Sequence, residues 1–259
     1  MPRRPRLLLV GLAVWVFTPV AMLVLRALAQ AWRYPQIWPA GDDVLPALAA
    51  GTGSRLWSAL VTSLGLALAT GPAGAALGFF IARTIARANP ALQRATLALA
   101  LFAVIAPPIA LGVGLQVALL GLGLGGTTGG VFLAHLVPAT GYLTLFAVGV
   151  FTTFDFGLDD EARTLGASRW QVLTRVTVPL LRGRVAEAVV LGALVSWGQL
   201  AITLLIGGGL VRTLPVELLS FVQAGNDQLG ALAALVLSAP PMLAIGLLRG
   251  GARRTGAQV

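Results

Sequence analysis

Residues 155–179 read DFGLDDEARTLGASRWQVLTRVTVP, the most charged run in a very apolar chain. Asp155, Asp159, Asp160, Glu161, Arg163, Arg169 and Arg175 fall in it, between two long hydrophobic blocks. Leu158, Ala162 and Leu165 recur at i, i+4 and i+7, the spacing of one face of a short helix. Asp159 and Arg163 are four apart and are expected to pair on the opposite face. Gly166 follows, where a helix commonly ends on a left-handed residue that glycine adopts at little cost. Ser168 and Gln171 then fit a capping box for a second helix, on which Trp170 and Leu173 stand three apart. Pro179 lacks a backbone donor and is expected to stop or kink that helix. The run therefore reads as helix, glycine turn, helix, stop: a compact hairpin on the surface of a membrane domain.

The composition around the hairpin sets the class. Of 259 residues, 57% are hydrophobic and only 10% charged, and the mean hydropathy is +0.88. A soluble domain is nearer a quarter charged, so the chain is expected to be an all-α polytopic membrane protein. Its net charge of +9 comes from arginine alone, since the chain has no lysine. A P-loop needs a lysine on the phosphates, so an ordinary P-loop nucleotide site is excluded. The arginines are split among short loops, which is not a nucleic-acid footprint. With no cysteine and one histidine, thiol chemistry, disulfides and clustered metal ligands are absent from the sequence.

Six apolar runs flank the hairpin. They are Leu7–Leu25, Trp57–Ala82, Ala95–Leu124, Val131–Phe151, Val185–Ile206 and Leu229–Leu248, each long enough to cross a bilayer. Pro107-Pro108 and Pro240-Pro241 are expected to break or kink the third and sixth. Ala27-Leu28-Ala29 looks like a peptidase site, but the first run is long for a signal peptide and reads as a retained helix. Residues 30–55 read as a polar connection whose Trp32, Tyr34 and Trp38 suit a membrane interface. Residues 207–228 read as a loop. With both termini inside, fourteen of the eighteen arginines lie on the inner side, which predicts cytoplasmic termini and a cytoplasmic hairpin. The expected division is a first helix with its outer connection (1–55), a core of five spans carrying the hairpin (56–250) and a basic tail (251–259).

The hairpin also resembles a known signature. Permease subunits of binding-protein-dependent ABC importers carry a cytoplasmic motif of Glu-Ala-Ala, three residues, Gly, nine residues, then Ile-x-Leu-Pro. Gly166 to Pro179 has that spacing, with Val176 and Val178 at the two apolar positions. Asp160, Glu161 and Ala162 stand where the family has Glu, Ala, Ala. The resemblance implies a coupling element that docks in a cleft of a separate ATPase subunit. Asp160 and Glu161 would face that partner, Ala162 and Gly166 would allow close approach, and Pro179 would fix where the next span starts. It further implies a second permease subunit, a periplasmic substrate-binding protein, a place in the bacterial inner membrane, and no cofactor in this chain, with ATP and Mg bound by the ATPase. Ser196 to Ser220, with Thr213-Leu214-Pro215, is similar to the fifth span and outer loop of polyamine, thiamine and ferric-iron permeases. Many polyamine relatives carry acids where this chain has Gly198 and Gln199, which weakens a cationic substrate.

The path is less marked. Ser196, Gln199 and Thr203 lie at i, i+3 and i+7 in the fifth span, so they are expected on one helix face. That face either lines a path or joins helices. Trp197 and Gln116 are further candidates. His135 reads as a hydrogen-bonded structural histidine rather than a proton relay, and Glu187 is expected to pair with Arg184. The alternative function is an ion-coupled secondary transporter or channel without ATPase, which would need intramembrane ionisable groups. Only His135 and Glu187 qualify. An intramembrane enzyme built on Ser168 lacks a base within the hairpin.

Overall fold

The computed structural model describes residues 3–29, 32, 35 and 51–255. Tyr34, Trp38 and most of the expected connection lie outside them. The described residues are helical, with no strand. Among the described residues, four helices are long and apolar enough to cross a membrane, and two bent pairs raise the number to six if each pair is one span.

The chain folds as two compact units. The first joins Met1–Thr62 to Arg212–Gly246. It holds α1 (Arg3–Leu28), the start of α2 (Gly51–Ala86), α11 (Leu214–Gln223) and most of α12 (Asp227–Thr255). Trp15 and Leu8 on α1 are exposed, as suits an apolar solvent. Arg26 forms an ion pair with Asp227, and Gln228 donates to the Ala27 carbonyl at 3.2 Å. The expected 207–228 loop contains helix α11. Thr213 is its N-cap and Pro215 lies in its first turn, where the missing N–H costs nothing. Glu217 is buried at 2.6 Å from Arg55, whose guanidinium also lies over the Phe221 ring.

The second unit joins Ser63–Val211 to Leu247–Val259. Here the rest of α2 packs against α5 (Thr128–Phe151) and α9 (Arg182–Trp197). The approach is close because the crossings are made of glycine. A Cβ on Gly78 would meet the Leu143 backbone at 2.6 Å, and one on Gly71 would meet the Val189 carbonyl at 2.5 Å. Small residues of this kind let apolar helices associate by van der Waals packing. Leu143, Ala75 and Ala188 form the core between these helices.

The third apolar run is broken at Pro107-Pro108, as expected. α3 (Pro90–Ile105) and α4 (Pro108–Gly121) meet at 106°. Ala106 and Pro107 both precede a proline, and both are extended at ψ 133° and 130°, as a pre-proline residue prefers. The two arms then dock separately. Gly141 of α5 accepts α3 at the Ala100 carbonyl, while Gly112 of α4 faces Leu205 and Ile202. The expected interruption at Pro240-Pro241 does not occur, for α12 runs through both prolines. The fifth run is a second broken element, with α9 and α10 (Ala201–Gly207) bent by 63°.

Candidate functional site

The charged hairpin forms in the second unit, with one arm as expected and one altered. α6 (Gly157–Thr164) ends in a Schellman turn. The Ala167 N–H donates to the Ala162 carbonyl and the Gly166 N–H to Arg163, both at 3.0 Å, with Gly166 at φ +89°. These bonds satisfy carbonyls that a helix end leaves open. Ser168 then caps α7 (Arg169–Val172). Its N–H donates to Gln171 Oε1 at 2.8 Å, and its Oγ accepts from the Gln171 N–H at 3.2 Å. The S-x-x-Q spacing thus becomes a formed capping box.

Pro179 does not stop the second arm. A π-helical turn, Leu173–Thr177, leads into the short α8 (Val178–Leu180), and α9 follows across the single residue Leu181. Proline cannot join the regular ladder. The wider turn just before it absorbs the mismatch, as π-bulges within helices do. The arm therefore runs almost directly into α9.

The expected Asp159–Arg163 pair is also replaced. Asp159 is buried, and its Oδ2 accepts from Arg83 Nη2 at 2.7 Å. Its Oδ1 accepts from the Thr177 hydroxyl at 3.0 Å. Arg83 donates in turn to Thr177. A buried carboxylate takes the partner that compensates its desolvation most fully, and the exposed Arg163 cannot do that. Just past the end of α2, Arg87 grips Asp160 with two bonds of 2.9 and 2.8 Å. It donates also to the Phe156 carbonyl at 3.2 Å and lies 4.7 Å over the Phe156 ring. The hydrogen bond from Arg87, with its charge, holds the Asp160 carboxyl below the usual carboxylate range. The same bond raises Arg87. Phe156 stacks on Phe151, rooting the first arm in the end of α5.

Of the residues singled out for docking, Asp160 thus has an intramolecular partner. Glu161 is exposed, Ala162 is half-buried and Gly166 sits at the open turn. Leu165 and Trp170 point outward, 89% and 71% exposed. Arg83, Arg87, Thr177 and Phe156 were not foreseen. The signal was faint: two arginines four apart at the end of one apolar run, and two adjacent acids more than seventy residues later.

Among the path candidates, Ser196, Gln199 and Thr203 do not share one face, because the helix breaks at Gly198–Leu200. Ser196 and Thr203 are buried and both meet His135. Its Nδ1 lies 2.9 Å from Ser196 Oγ and its Nε2 2.9 Å from Thr203 Oγ1. Thr203 donates its hydroxyl proton to the Gln199 carbonyl at 2.7 Å. It therefore accepts from Nε2–H, which leaves Nδ1 to accept from Ser196. Trp197 is buried, while Gln199 and Gln116 are half-buried. Both amides belong to broken elements. Glu187 pairs with Arg184 at 2.9 Å, as expected.

Residues 74–251 match the family described as "Binding-protein-dependent transport system inner membrane component". The chain belongs to this family. It is a multi-pass inner-membrane permease subunit of the ABC importer type, a transport subunit rather than an enzyme. The molybdenum transport system permease protein ModB of Mycobacterium tuberculosis is 30% identical, over 90% of this chain and 92% of that one. A protein named for 2-aminoethylphosphonate transport, the permease PhnV of Salmonella typhimurium, is 28% identical over 94% and 91%. The permease fold is shared with a bacterial alginate ABC transporter solved with a pentasaccharide-bound periplasmic protein. The TM-score is 0.71 at 15% identity, covering 98% of this chain and 96% of that one.

Proposed function

We propose that this permease forms half of a translocation path and is driven through residues 155–179 by a separate ATPase chain, which binds ATP and Mg. A second permease, the same or related, completes the path. A periplasmic binding protein delivers a small solute. The hairpin and both termini face the cytoplasm, in keeping with the arginine distribution and with the 56–250 core as the working unit.

The observation that carries this reading is the exposed tip of a rigid hairpin. Leu165 and Trp170 are large apolar side chains in a charged, capped turn, beside the exposed Glu161. Such a tip fits a partner cleft rather than bulk water. A capped hairpin transmits a rigid-body shift that a loose loop would absorb. Gly166 keeps the turn tight, and Pro179 sets the π-turn that joins the hairpin to α9. Asp160 contributes by holding the hairpin to α2. Gln116 and Gln199 are the path-lining candidates, since broken elements leave polar groups that a hydrated path satisfies. Ser196, Thr203 and Trp197 support the break behind them. The ion-coupled alternative has no observation in its favour, because His135 and Glu187 are both partnered within the chain.

The test is co-purification of the ATPase with the native chain and with Leu165→Glu/Trp170→Glu. The native chain should retain the ATPase and the variant should lose at least tenfold of it at equal membrane yield. Equal retention by both would sink the docking role of the tip.

A further inference from the structure

The hairpin is covalently continuous with α5 and α9. Its attachment to α2 is different, made by non-covalent bonds from arginine side chains. Arg83 in the last turn of α2 and Arg87, the residue just past its end, reach adjacent acids of α6. The inner pair is three-cornered: Arg83 from α2, Asp159 from the first arm and Thr177 from the π-turn of the second arm are mutually bonded. It therefore fastens both arms of the hairpin to α2 at one buried point. The outer pair adds two parallel bonds between Arg87 and Asp160, a third to the Phe156 carbonyl and the Phe156 ring beneath the guanidinium. Paired bonds of this kind fix orientation as well as distance.

We infer that Arg83 and Arg87 are positioning residues that lock the hairpin to α2, so that a displacement of the hairpin is delivered to α2 as well as to α5 and α9. The inference rests on the hairpin being the ATPase-driven element. Glycine packing along α2 sets how near the helices lie. It does not fix the angle of the hairpin at their ends, and the two arginines do. Asp160 is therefore a clasp residue and Glu161 the acid left for the partner.

The native chain has no cysteine, so paired labels can be placed at will. Thr84 on α2 and Thr164 on α6 are exposed, and their hydroxyls bond only carbonyls of their own helices. Spin labels at Thr84→Cys and Thr164→Cys, attached before the ATPase is added, report the separation by electron paramagnetic resonance. In nanodiscs the separation should be narrow in the parent, broad in Arg83→Gln/Arg87→Gln, and broad in Arg87→Asp but narrow again when Asp160→Arg is added. In the ATPase complex, the parent separation should be the same without nucleotide and after trapping with Mg-ATP and vanadate. The double glutamine variant should retain the ATPase yet shift on trapping by on the order of 2–5 Å, the scale of helix displacements. A parent separation that changes on trapping, a glutamine variant that stays narrow, or a charge swap that fails to restore the native separation overturns the clasp. Failure of the parent to hold any ATPase refutes the docking reading itself, which the nanodisc measurement distinguishes from failure of the clasp.

Discussion

At the scale of single residues, burial separates two ion pairs that look alike in sequence. Asp159 is buried and Asp160 exposed. Removing the partner of a buried charge leaves its desolvation uncompensated, at about 3–5 kcal/mol. Arg83 is itself partly exposed, so the lower end applies. Arg83→Ala should lower the thermal midpoint of the purified chain well below that of Arg87→Ala, and equal midpoints would contradict this ranking. The pH dependence of the outer pair has a definite sign. Arg87 depresses the folded-state pKa of Asp160, so the stabilisation is present above the ordinary carboxylate pKa and is lost as pH falls through the depressed one. The hairpin-to-α2 separation should hold from pH 8 down to about 5 and widen only in stronger acid.

At the scale of elements, local sequence wrote the turn of the hairpin and surroundings wrote the breaks. The capping box and glycine turn were legible because their partners lie within five residues. Ser168→Ala should cost about 1 kcal/mol, visible as faster amide exchange across residues 168–173 with the rest unchanged. The two diproline pairs make the opposite point: one breaks a helix and the other is carried through. At Pro107-Pro108 the arms dock on α5 and α10, and such long-range partners leave no mark in a local pattern. His135 spans the other break, joining the end of α9 to the start of α10. His135→Leu leaves two buried hydroxyls short of a partner, at about 1–3 kcal/mol. Exchange should then rise at residues 198–203, and an unchanged profile would remove the bracing role.

At the scale of the whole molecule, composition alone pointed to a polytopic membrane protein, and the arginine distribution predicts an orientation. The hairpin should face the cytoplasm. A membrane-impermeant maleimide should modify Thr164→Cys in inverted vesicles and not in intact right-side-out ones, and the reverse pattern would invert the topology. The six expected spans survive as four whole helices and two bent pairs, with the bends at the elements that carry Gln116 and Gln199.

What the sequence settled by itself was the apolar, helical, multi-pass class, the position of the hairpin, its glycine turn and its cap. These depend on composition, periodicity or partners a few residues apart. What only the tertiary structure decided was which charge meets which. Asp159 turned from Arg163 to Arg83, Asp160 took Arg87, and Ser196 and Thr203 converged on His135 from either side of a break. Those choices follow from burial and from side chains brought together across sixty to a hundred residues, where desolvation selects the partner and chain proximity does not.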